Sequence, residues 1–291
     1  MGNSSNNLKV AQLFHIWSGM SLLFVIRAII LFSGSSAFAQ ELAYSNVSDR
    51  YLRIQVGPII PPYVMGPNVK PSKLVNDKPR GAELDIVQEA MALEGYHIEF
   101  RYAEFLSKNN NRNYDRASNP PFDRADAIMG VANGNELGGC YSRPYIFYRN
   151  VAISLSSRRY VIDSIEDLRG QRITGPKVAP EELGVNFLNL FSDMESFEEA
   201  TQYREQTIRL FQGHTDFVVG DLNVFNWLVE RGGLPENVDV SQSIAVHPIF
   251  SQKPKYLVFQ DQATCDAFNK GMKRLEKNGR YQEILSSYNL H

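Results

Sequence analysis

The chain has 291 residues, enough for one large or two ordinary domains. Apolar residues make up 43% and charged residues 21%, which is an ordinary globular balance. The 30 basic and 32 acidic side chains give a formal charge of −2, and there is no long basic run, so nucleic acid and anionic membrane surfaces are not expected as partners.

The N-terminal segment has the pattern of an export signal. Residues 20–32 are apolar except for Ser21 and Arg27, and Ala37-Phe38-Ala39 matches an A-x-A cleavage site. We expect residues 1–39 to be a signal peptide that is cleaved after Ala39, which makes the mature protein periplasmic. An uncleaved anchor is the alternative. Because the leader is long, we also hypothesise that translation begins at Met20; N-terminal sequencing of the precursor tests this, and residues upstream of Met20 would refute it.

The first elements after the leader predict a β-α-β unit. Residues 51–56 alternate apolar and polar side chains, as a half-buried strand does. An apolar stripe at helical spacing covers residues 84–93, and Gly95 ends it. Residues 97–102 alternate again, so a parallel sheet with a right-handed crossover is expected. Residues 125–130 predict a further short strand.

The rest of the chain predicts a second β-α-β series and a helical C-terminus. Residues 164–167, Ser-Ile-Glu-Asp, form a capping box that begins a short helix. The other predicted elements are strands at 151–155, 172–174, 216–220 and 256–259, and helices at 181–191, 223–229, 263–277 and 280–288. The pattern alone does not show on which series the closing helices pack.

Asp221 stands at the C-terminal end of the predicted strand 216–220, just before the helix at 223–229. In α/β proteins, ligands gather at the C-terminal ends of strands. A carboxylate there is poorly solvated and can meet a cationic group on a small ligand. The alternative is that Asp221 caps the helix that follows.

The two cysteines, Cys140 and Cys265, both lie in the mature region. In an oxidising compartment such a pair can form a disulfide. Two separate buried thiols are the alternative. The sequence leaves both open, because a bridge depends on a Cα–Cα distance that sequence does not supply.

Seven blocks, taken in order, resemble the family 3 extracellular solute-binding proteins, the polar amino acid receptors of ABC importers. They cover nearly the whole mature chain. The blocks are Leu52-Arg-Ile with Pro61-Pro-Tyr63, Gly81-Ala-Glu-Leu-Asp85-Ile-Val, Ala125-Asp-Ala-Ile-Met-Gly130, Pro144-Tyr145, Ile165-Glu-Asp-Leu-Arg-Gly170, Asp216-Phe-Val-Val-Gly-Asp221 and Ala267-Phe-Asn-Lys with Asn278-Gly-Arg-Tyr281.

The resemblance implies an α/β fold of two hinged β-α-β lobes, the type II periplasmic binding fold. Residues 50–150 and 251–291 would form lobe 1, and residues 151–250 would form lobe 2. Hinge strands near Val151 and Tyr256 would join them. The ligand would bind in the cleft between the lobes, which close on it.

The resemblance also assigns cleft residues. Tyr63 matches the aromatic position that lines the cleft, where stacking or cation–π contact with a ligand competes with simple core packing. Gly130, Val131 and Ala132 match the segment whose backbone meets the ligand. Asp221 matches the aspartate that binds the α-amino group of the ligand.

The resemblance also covers two acidic residues that come before Gly130 in the chain. Glu83 falls where the family often has an acid near the ligand, although an acid in a first helical turn also favours the helix dipole. Asp85 matches an acidic residue in the block that begins the helix, and we interpret it as structural.

One position departs from the family. The arginine that clamps the ligand carboxylate is replaced by Leu137, and leucine cannot replace a bidentate guanidinium. The resemblance therefore does not carry over standard α-amino acid binding. Arg143 stands where the family has an acidic residue and is a candidate for the missing cation; a solvated or paired surface charge is the alternative.

The sequence has no signature of metal, cofactor or nucleophilic chemistry. Its five histidines are scattered without metal spacing, and no nucleophile elbow, Walker loop or dinucleotide fingerprint occurs. We therefore expect no cofactor and no catalysis. The leading interpretation is a monomeric periplasmic receptor for a small polar, amine-bearing ligand, which works with an inner-membrane ABC permease or in sensing.

Two other functions stay open. The Met129-Gly-Val131 and Arg143-Pro-Tyr145 segments are similar to the J-type accessory proteins of methanol-oxidation clusters, which serve a quinoprotein dehydrogenase. A few relatives of this fold are cyclohexadienyl dehydratases. Such an enzyme needs a general acid in the cleft, for which Glu83 and Glu181 are the candidates.

Overall fold

The computed structural model describes residues 50–66, 79–102, 125–132, 137–176, 180–200, 202–231 and 233–290. The expected signal peptide, residues 1–39, lies outside the described residues. Among the helices that are described, none combines the length and the apolar character that crossing a bilayer requires.

The first sheet has a mixed topology. Its described strands are β1 (Arg50–Val56), β2 (Tyr96–Tyr102), β3 (Ala127–Ala132), β4 (Cys140–Tyr141), β5 (Ile146–Tyr148) and β11 (Lys253–Phe259), in the order β2-β1-β3-β11-β4 with β5 beside β11. β1 and β3 run parallel, and β11 is antiparallel to β3. The alternation predicted for β1 is present, since Leu52, Ile54 and Val56 are buried and the residues between them are not.

The second sheet follows in the middle of the chain. Its described strands are β6 (Asn150–Leu155), β7 (Arg172–Gly175), β8 (Ser196–Glu199), β9 (Phe217–Asp221) and β10 (Ile244–His247), in the order β10-β6-β9-β7-β8. β9 is parallel to β7 and antiparallel to β6. All five residues of β9 are buried, as expected for a short apolar strand inside a sheet covered on both faces.

Helices cover both sheets. They are α1 (Ala82–Ala92), α2 (Pro180–Leu183), α3 (Val185–Leu188), α4 (Tyr203–Phe211), α5 (Leu222–Glu230), α6 (Gln262–Lys277) and α7 (Arg280–Ser287). We call the first sheet with α1, α6 and α7 lobe 1, and the second sheet with α2 to α5 lobe 2. Phe268 and Met272 of α6 belong to the same apolar core as Ile54 of β1, so the closing helices pack on the first sheet.

The predicted helix at 181–191 is broken. It divides into α2, α3 and a 3₁₀ helix at Phe191–Asp193. Gly184 lies at the break with φ of 89°, a value that no residue in a right-handed helix adopts. The capping box at Ser164 is confirmed, since the side chains of Ser164 and Asp167 both make their reciprocal bonds at the start of a 3₁₀ helix.

The two cysteines form a disulfide. It joins Cys140 of β4 to Cys265 of α6, with a Cα–Cα distance of 6.1 Å and a sequence separation of 125. Of the two alternatives that the sequence left open, the bridge is the one observed. It lies wholly within lobe 1, where it ties an edge strand to a helix of the core.

Helix α6 crosses α1 at very short range through Gly271. A Cβ atom on this glycine would lie 2.0 Å from the carbonyl oxygen of Ala90, so the two backbones touch. We expect Gly271→Ala to destabilise the protein by about 1–3 kcal/mol, because the added methyl forces the helices apart. This is opposite in sign to the helix propensity of alanine, which favours it over glycine by about 1 kcal/mol. Urea unfolding measures the change.

Lys273→Ala on the exposed face of the same helix is the matched control for Gly271→Ala. It should change the free energy of unfolding by less than about 0.5 kcal/mol. A Gly271→Ala protein as stable as the wild type would contradict the close contact between α6 and α1.

Candidate functional site

Tyr63 is held against the start of α1 by backbone contacts. It follows a cis peptide bond between Pro61 and Pro62. Its carbonyl oxygen accepts a hydrogen bond from the N–H of Glu83 at 3.1 Å. A Cβ atom on Gly81 would lie 2.3 Å from the same oxygen, so this approach requires glycine. The ring is fully buried where lobe 1 meets lobe 2.

Asp221 lies at the same junction, at the end of β9. Its carboxylate accepts hydrogen bonds from the N–H groups of Asn223 at 2.9 Å and Val224 at 3.0 Å, which cap α5. The N–H of Arg149 donates a third bond at 2.6 Å. Arg149 lies in the connection between β5 and β6. The hydroxyl of Tyr63 donates the fourth bond at 3.0 Å and is the side-chain donor, which comes from lobe 1. The predicted capping role is therefore present, and one further acceptor position faces the other lobe.

Burial changes the acidity of Asp221. Only 4% of the residue is exposed. Burial, the largest cause, raises the pKa of Asp221 to about 6, although the three backbone donors and the Tyr63 hydroxyl act in the opposite direction. The four donors are nevertheless arranged for an anion, so an approaching cation would stabilise the charged form.

The raised pKa predicts a pH dependence of stability. Between about pH 4 and pH 6 the folded protein keeps the Asp221 proton that the unfolded chain has lost, so raising the pH through this window lowers stability. The loss is about 3 kcal/mol, since each pKa unit corresponds to about 1.4 kcal/mol. Asn at position 221 does not titrate. The difference in unfolding free energy between wild type and Asp221→Asn should therefore shift by that amount across the window.

Asp216 is the matched control for this titration, because its pKa moves the other way. Burial raises the pKa of Asp216, but its bonds from Arg172, at 2.8 Å and 3.0 Å, outweigh burial and hold it below its usual value. The contribution of the Asp216 carboxylate to stability is complete above about pH 4, and it is lost only at lower pH. Above pH 4, the difference in unfolding free energy between wild type and Asp216→Asn should not change with pH. If the difference between wild type and Asp221→Asn is equally constant above pH 4, the raised pKa of Asp221 is contradicted.

Glu83 lies fully buried in the first turn of α1. Its carboxylate accepts hydrogen bonds from the hydroxyls of Tyr145 and, at 2.6 Å, Tyr148. The Tyr145 hydroxyl in turn accepts a bond from the N–H of Gly130 at 3.0 Å. Burial raises the pKa of Glu83, and the two hydroxyls partly offset this. Gly130 is therefore connected to Glu83 through one tyrosine.

Two stacked rings connect the Glu83 group to the Asp221 group. Tyr63 and Tyr148 lie with their centroids 4.1 Å apart and their planes 19° from parallel. The Tyr63 hydroxyl also accepts a bond from Nδ2 of Asn223 at 2.8 Å. Carboxylates therefore bind the hydroxyls at both ends of an aromatic stack, an arrangement that suits contact with a cation.

Lys255 and Glu182 form an ion pair across the lobes that sequence reasoning missed. Lys255 belongs to β11 of lobe 1 and Glu182 to α2 of lobe 2. The Lys255 ammonium also lies 4.8 Å from the centroid of the Tyr148 ring. A signal for its burial exists in the sequence: Lys255 alternates with Leu257 and Phe259, which are both in the core.

The other predicted site residues have structural partners. Val131 and Ala132 lie in β3, paired with β11. Arg143 forms an ion pair with Glu276 of α6 at 3.0 Å, with both side chains about one-third exposed. Asp85 accepts a bond from the Tyr288 hydroxyl at 2.7 Å, which fits the structural role expected for it.

Some positions that the resemblance singles out lie outside the described residues. They are residues 133–136, which come just before the position of the family arginine, and the side chain of Glu181. Leu137 itself is described, and its N–H contacts the Tyr141 hydroxyl at 3.4 Å. Across the described residues, no group of three or more His, Cys, Asp or Glu side chains is arranged to hold a metal ion.

A small cavity adjoins Asp221 on the lobe 2 side. Tyr203 and Gln206 of α4 line it together with the end of β9. Its volume of about 10 Å³ has room for about one water molecule. An amino acid is much larger than this cavity and would not fit inside it.

Solved structures with the same architecture identify the fold. A histidine kinase sensor domain with similarity to periplasmic binding proteins superposes with a TM-score of 0.57 at 16% identity, covering 83% of this chain and 96% of that one. The chain has a type II periplasmic binding fold. This confirms the fold class expected from the resemblance.

Two amino acid receptors have the same type II periplasmic binding fold. An amino acid ABC transporter substrate-binding protein from Streptococcus pneumoniae, bound to L-arginine, gives a TM-score of 0.57 at 18% identity over 82% of this chain and 94% of that one. An ancestral cationic amino acid solute-binding protein gives 0.59 at 16% identity over 82% and 95%. No protein-family model and no curated protein matches the chain.

Proposed function

We propose that this protein is a periplasmic solute-binding protein that captures a small polar, amine-bearing ligand for ABC-type import or for sensing. One observation carries the proposal. Asp221 is buried at the junction of the lobes, and its fourth acceptor position is filled from the opposite lobe by Tyr63. A ligand ammonium in that position would make the bond that the tyrosine hydroxyl makes now.

The chemistry of the junction favours a cation at this place. Three backbone donors already fix the Asp221 carboxylate, so it is oriented before a ligand arrives. The stacked faces of Tyr63 and Tyr148 add a surface that attracts cations. Separation of the lobes would free Asp221 from Tyr63, and closure would bury the ligand between them.

The fold neighbours support the solute-binding part of the proposal. The structures with this fold include receptors whose own ligands are amino acids, one of them bound to L-arginine. The periplasmic location and the ABC permease are carried over from such receptors and from the export signal, and they belong to the same proposal.

A thermal-shift screen of amino acids, amines and organic acids tests the function. A ligand at 100 times its Kd adds about 2.7 kcal/mol of stability, which is a readily measured shift. We expect stabilisation by at least one amine-bearing compound and none by organic acids that lack an amine. A panel in which no amine-bearing compound stabilises the protein would remove the proposed function and favour a role such as the J-type accessory of a dehydrogenase.

A second candidate function rests on Glu83. Burial raises the pKa of this carboxyl, and a raised pKa is one requirement for a general acid. One structure with this fold, at a TM-score of 0.56, is described as a precursor of cyclohexadienyl dehydratase. Turnover of prephenate or arogenate by the purified protein, abolished in Glu83→Gln, would establish the enzyme; its absence leaves the binding protein.

A further inference from the structure

The class of ligand depends on whether a basic side chain of the protein can bind an anionic group of the ligand. The position of the family arginine is Leu137, and Arg143 is engaged by Glu276 near the surface. Of the lysines and arginines in the described part of the chain, Lys255 is the one with a buried side chain, 6% exposed. It also lies against Tyr148, the ring that stacks on Tyr63.

Lys255 needs an anion, and its present partner is the more easily replaced member of the pair. A buried ammonium without a partner is strongly disfavoured, as is any charge left behind by a broken buried ion pair. Glu182 is 33% exposed and comes from the other lobe, so its carboxylate can turn into water when the lobes part. Lys255 has no comparable access to solvent.

We propose that Lys255 binds the anionic group of the ligand, in the position that Glu182 occupies in the structure. The inference rests on the proposed function and makes it more specific. Asp221 would take the ammonium of the ligand beside Tyr63, and Lys255 would take its carboxylate or other anion beside the Tyr148 ring. The ligand class is then a small zwitterion.

A first experiment tests the anion site without a known ligand. Lys255 also interacts electrostatically with the buried Glu83. Glu182→Gln removes the carboxylate that is directly bonded to Lys255, so sodium acetate should raise the melting temperature of this variant relative to sodium chloride at equal ionic strength. We expect about 2–4 °C, the shift of a weak ligand at several times its Kd in a protein of this size. The Glu182→Gln, Lys255→Met double variant should lose the shift. Equal melting temperatures in acetate and chloride for Glu182→Gln would overturn the proposal.

A second experiment compares amino acids with their decarboxylated amines: L-arginine with agmatine, L-lysine with cadaverine and L-ornithine with putrescine. By calorimetry, Lys255→Met should lower the affinity for the amino acid about 100-fold or more and leave that for the amine unchanged. Lys255→Arg should restore part of the loss. Lys270→Met removes an exposed lysine paired with Glu94 and should change neither affinity.

The outcomes separate this inference from the proposed function. Equal losses for amino acid and amine in Lys255→Met would show a structural role and overturn the anion site, as would a loss that follows Arg143→Met instead. Binding of amino acids unaffected by Lys255→Met would also overturn it and leave the receptor function standing. If no amine or amino acid binds while acetate still stabilises Glu182→Gln, the anion site is supported and the proposed function fails.

Discussion

Asp221→Asn is expected to weaken binding of an amine-bearing ligand roughly 100- to 4,000-fold and to leave the fold intact. Removing one partner of a buried ion pair costs about 3–5 kcal/mol, because the ligand ammonium is left without its counter-charge. Asparagine keeps an oxygen that can cap α5, since Asn is as good an N-cap residue as Asp. Isothermal titration calorimetry with the best ligand of the screen measures the loss, and circular dichroism shows that the variant is folded.

Asp216→Asn is the control for this loss of affinity. Asp216 is also a mostly buried carboxylate of lobe 2, but it is bound by Arg172 and Tyr160 just before β9 begins, whereas Asp221 ends that strand. Its replacement should lower stability without lowering affinity. Unchanged affinity in Asp221→Asn, or an equal loss in both variants, would remove Asp221 from the binding site.

The placement of Asp221 could be predicted because it depends on local pattern. A β-branched run predicts a buried strand, and an apolar-periodic segment right after it predicts a helix. A carboxylate between them must lie at the strand end and near the N–H groups of the first helical turn. Both features are present, with bonds to Asn223 and Val224.

The partners of Asp221 and Glu83 from distant parts of the chain could not be predicted this way. Tyr63 and Asp221 are 158 positions apart, and Glu83 and Tyr148 are 65 apart. The first contact depends on how the two sheets are placed against each other, and the second depends on how α1 packs on the first sheet. Strand or helix periodicity does not contain that information. The resemblance to a family predicts a shared cleft for these residues, but it does not specify the bonds between them.

The role of Lys255 was not predicted from the sequence for a different reason. Lysine is almost never fully buried unless it is paired, so treating a lysine as a surface residue is correct at most positions. Here the partner, Glu182, comes from the other lobe, from a region where the predicted helix is broken at Gly184. A lysine that shares the core-facing side of a strand with apolar residues needs an acidic partner. Applying that rule would have identified Lys255 as a buried residue, but it would not have identified Glu182.

Loss of the disulfide between Cys140 and Cys265 is expected to lower the free energy of unfolding by about 4–5 kcal/mol. The bond closes a loop with a sequence separation of 125, so it strongly restricts the unfolded chain. Reduction of the wild type with dithiothreitol and the double replacement Cys140→Ala, Cys265→Ala should give similar losses. Urea unfolding with and without the reductant measures both, and the double variant should not respond to the reductant.

Removal of this disulfide should change the stability of the protein without changing its ligand affinity. The disulfide lies within lobe 1, and the proposed ligand contacts do not include it. Cys265 is fully buried in the core beside α1, and Cys140 pairs with Phe259, at the end of β11 that is farther from Lys255. Ligand affinity below the melting temperature should therefore change little in the double variant, in contrast to Asp221→Asn. If the double variant is as stable as the wild type, the disulfide does not restrain the unfolded chain as proposed. If the double variant keeps its stability but no longer binds the ligand, the disulfide belongs to the binding site.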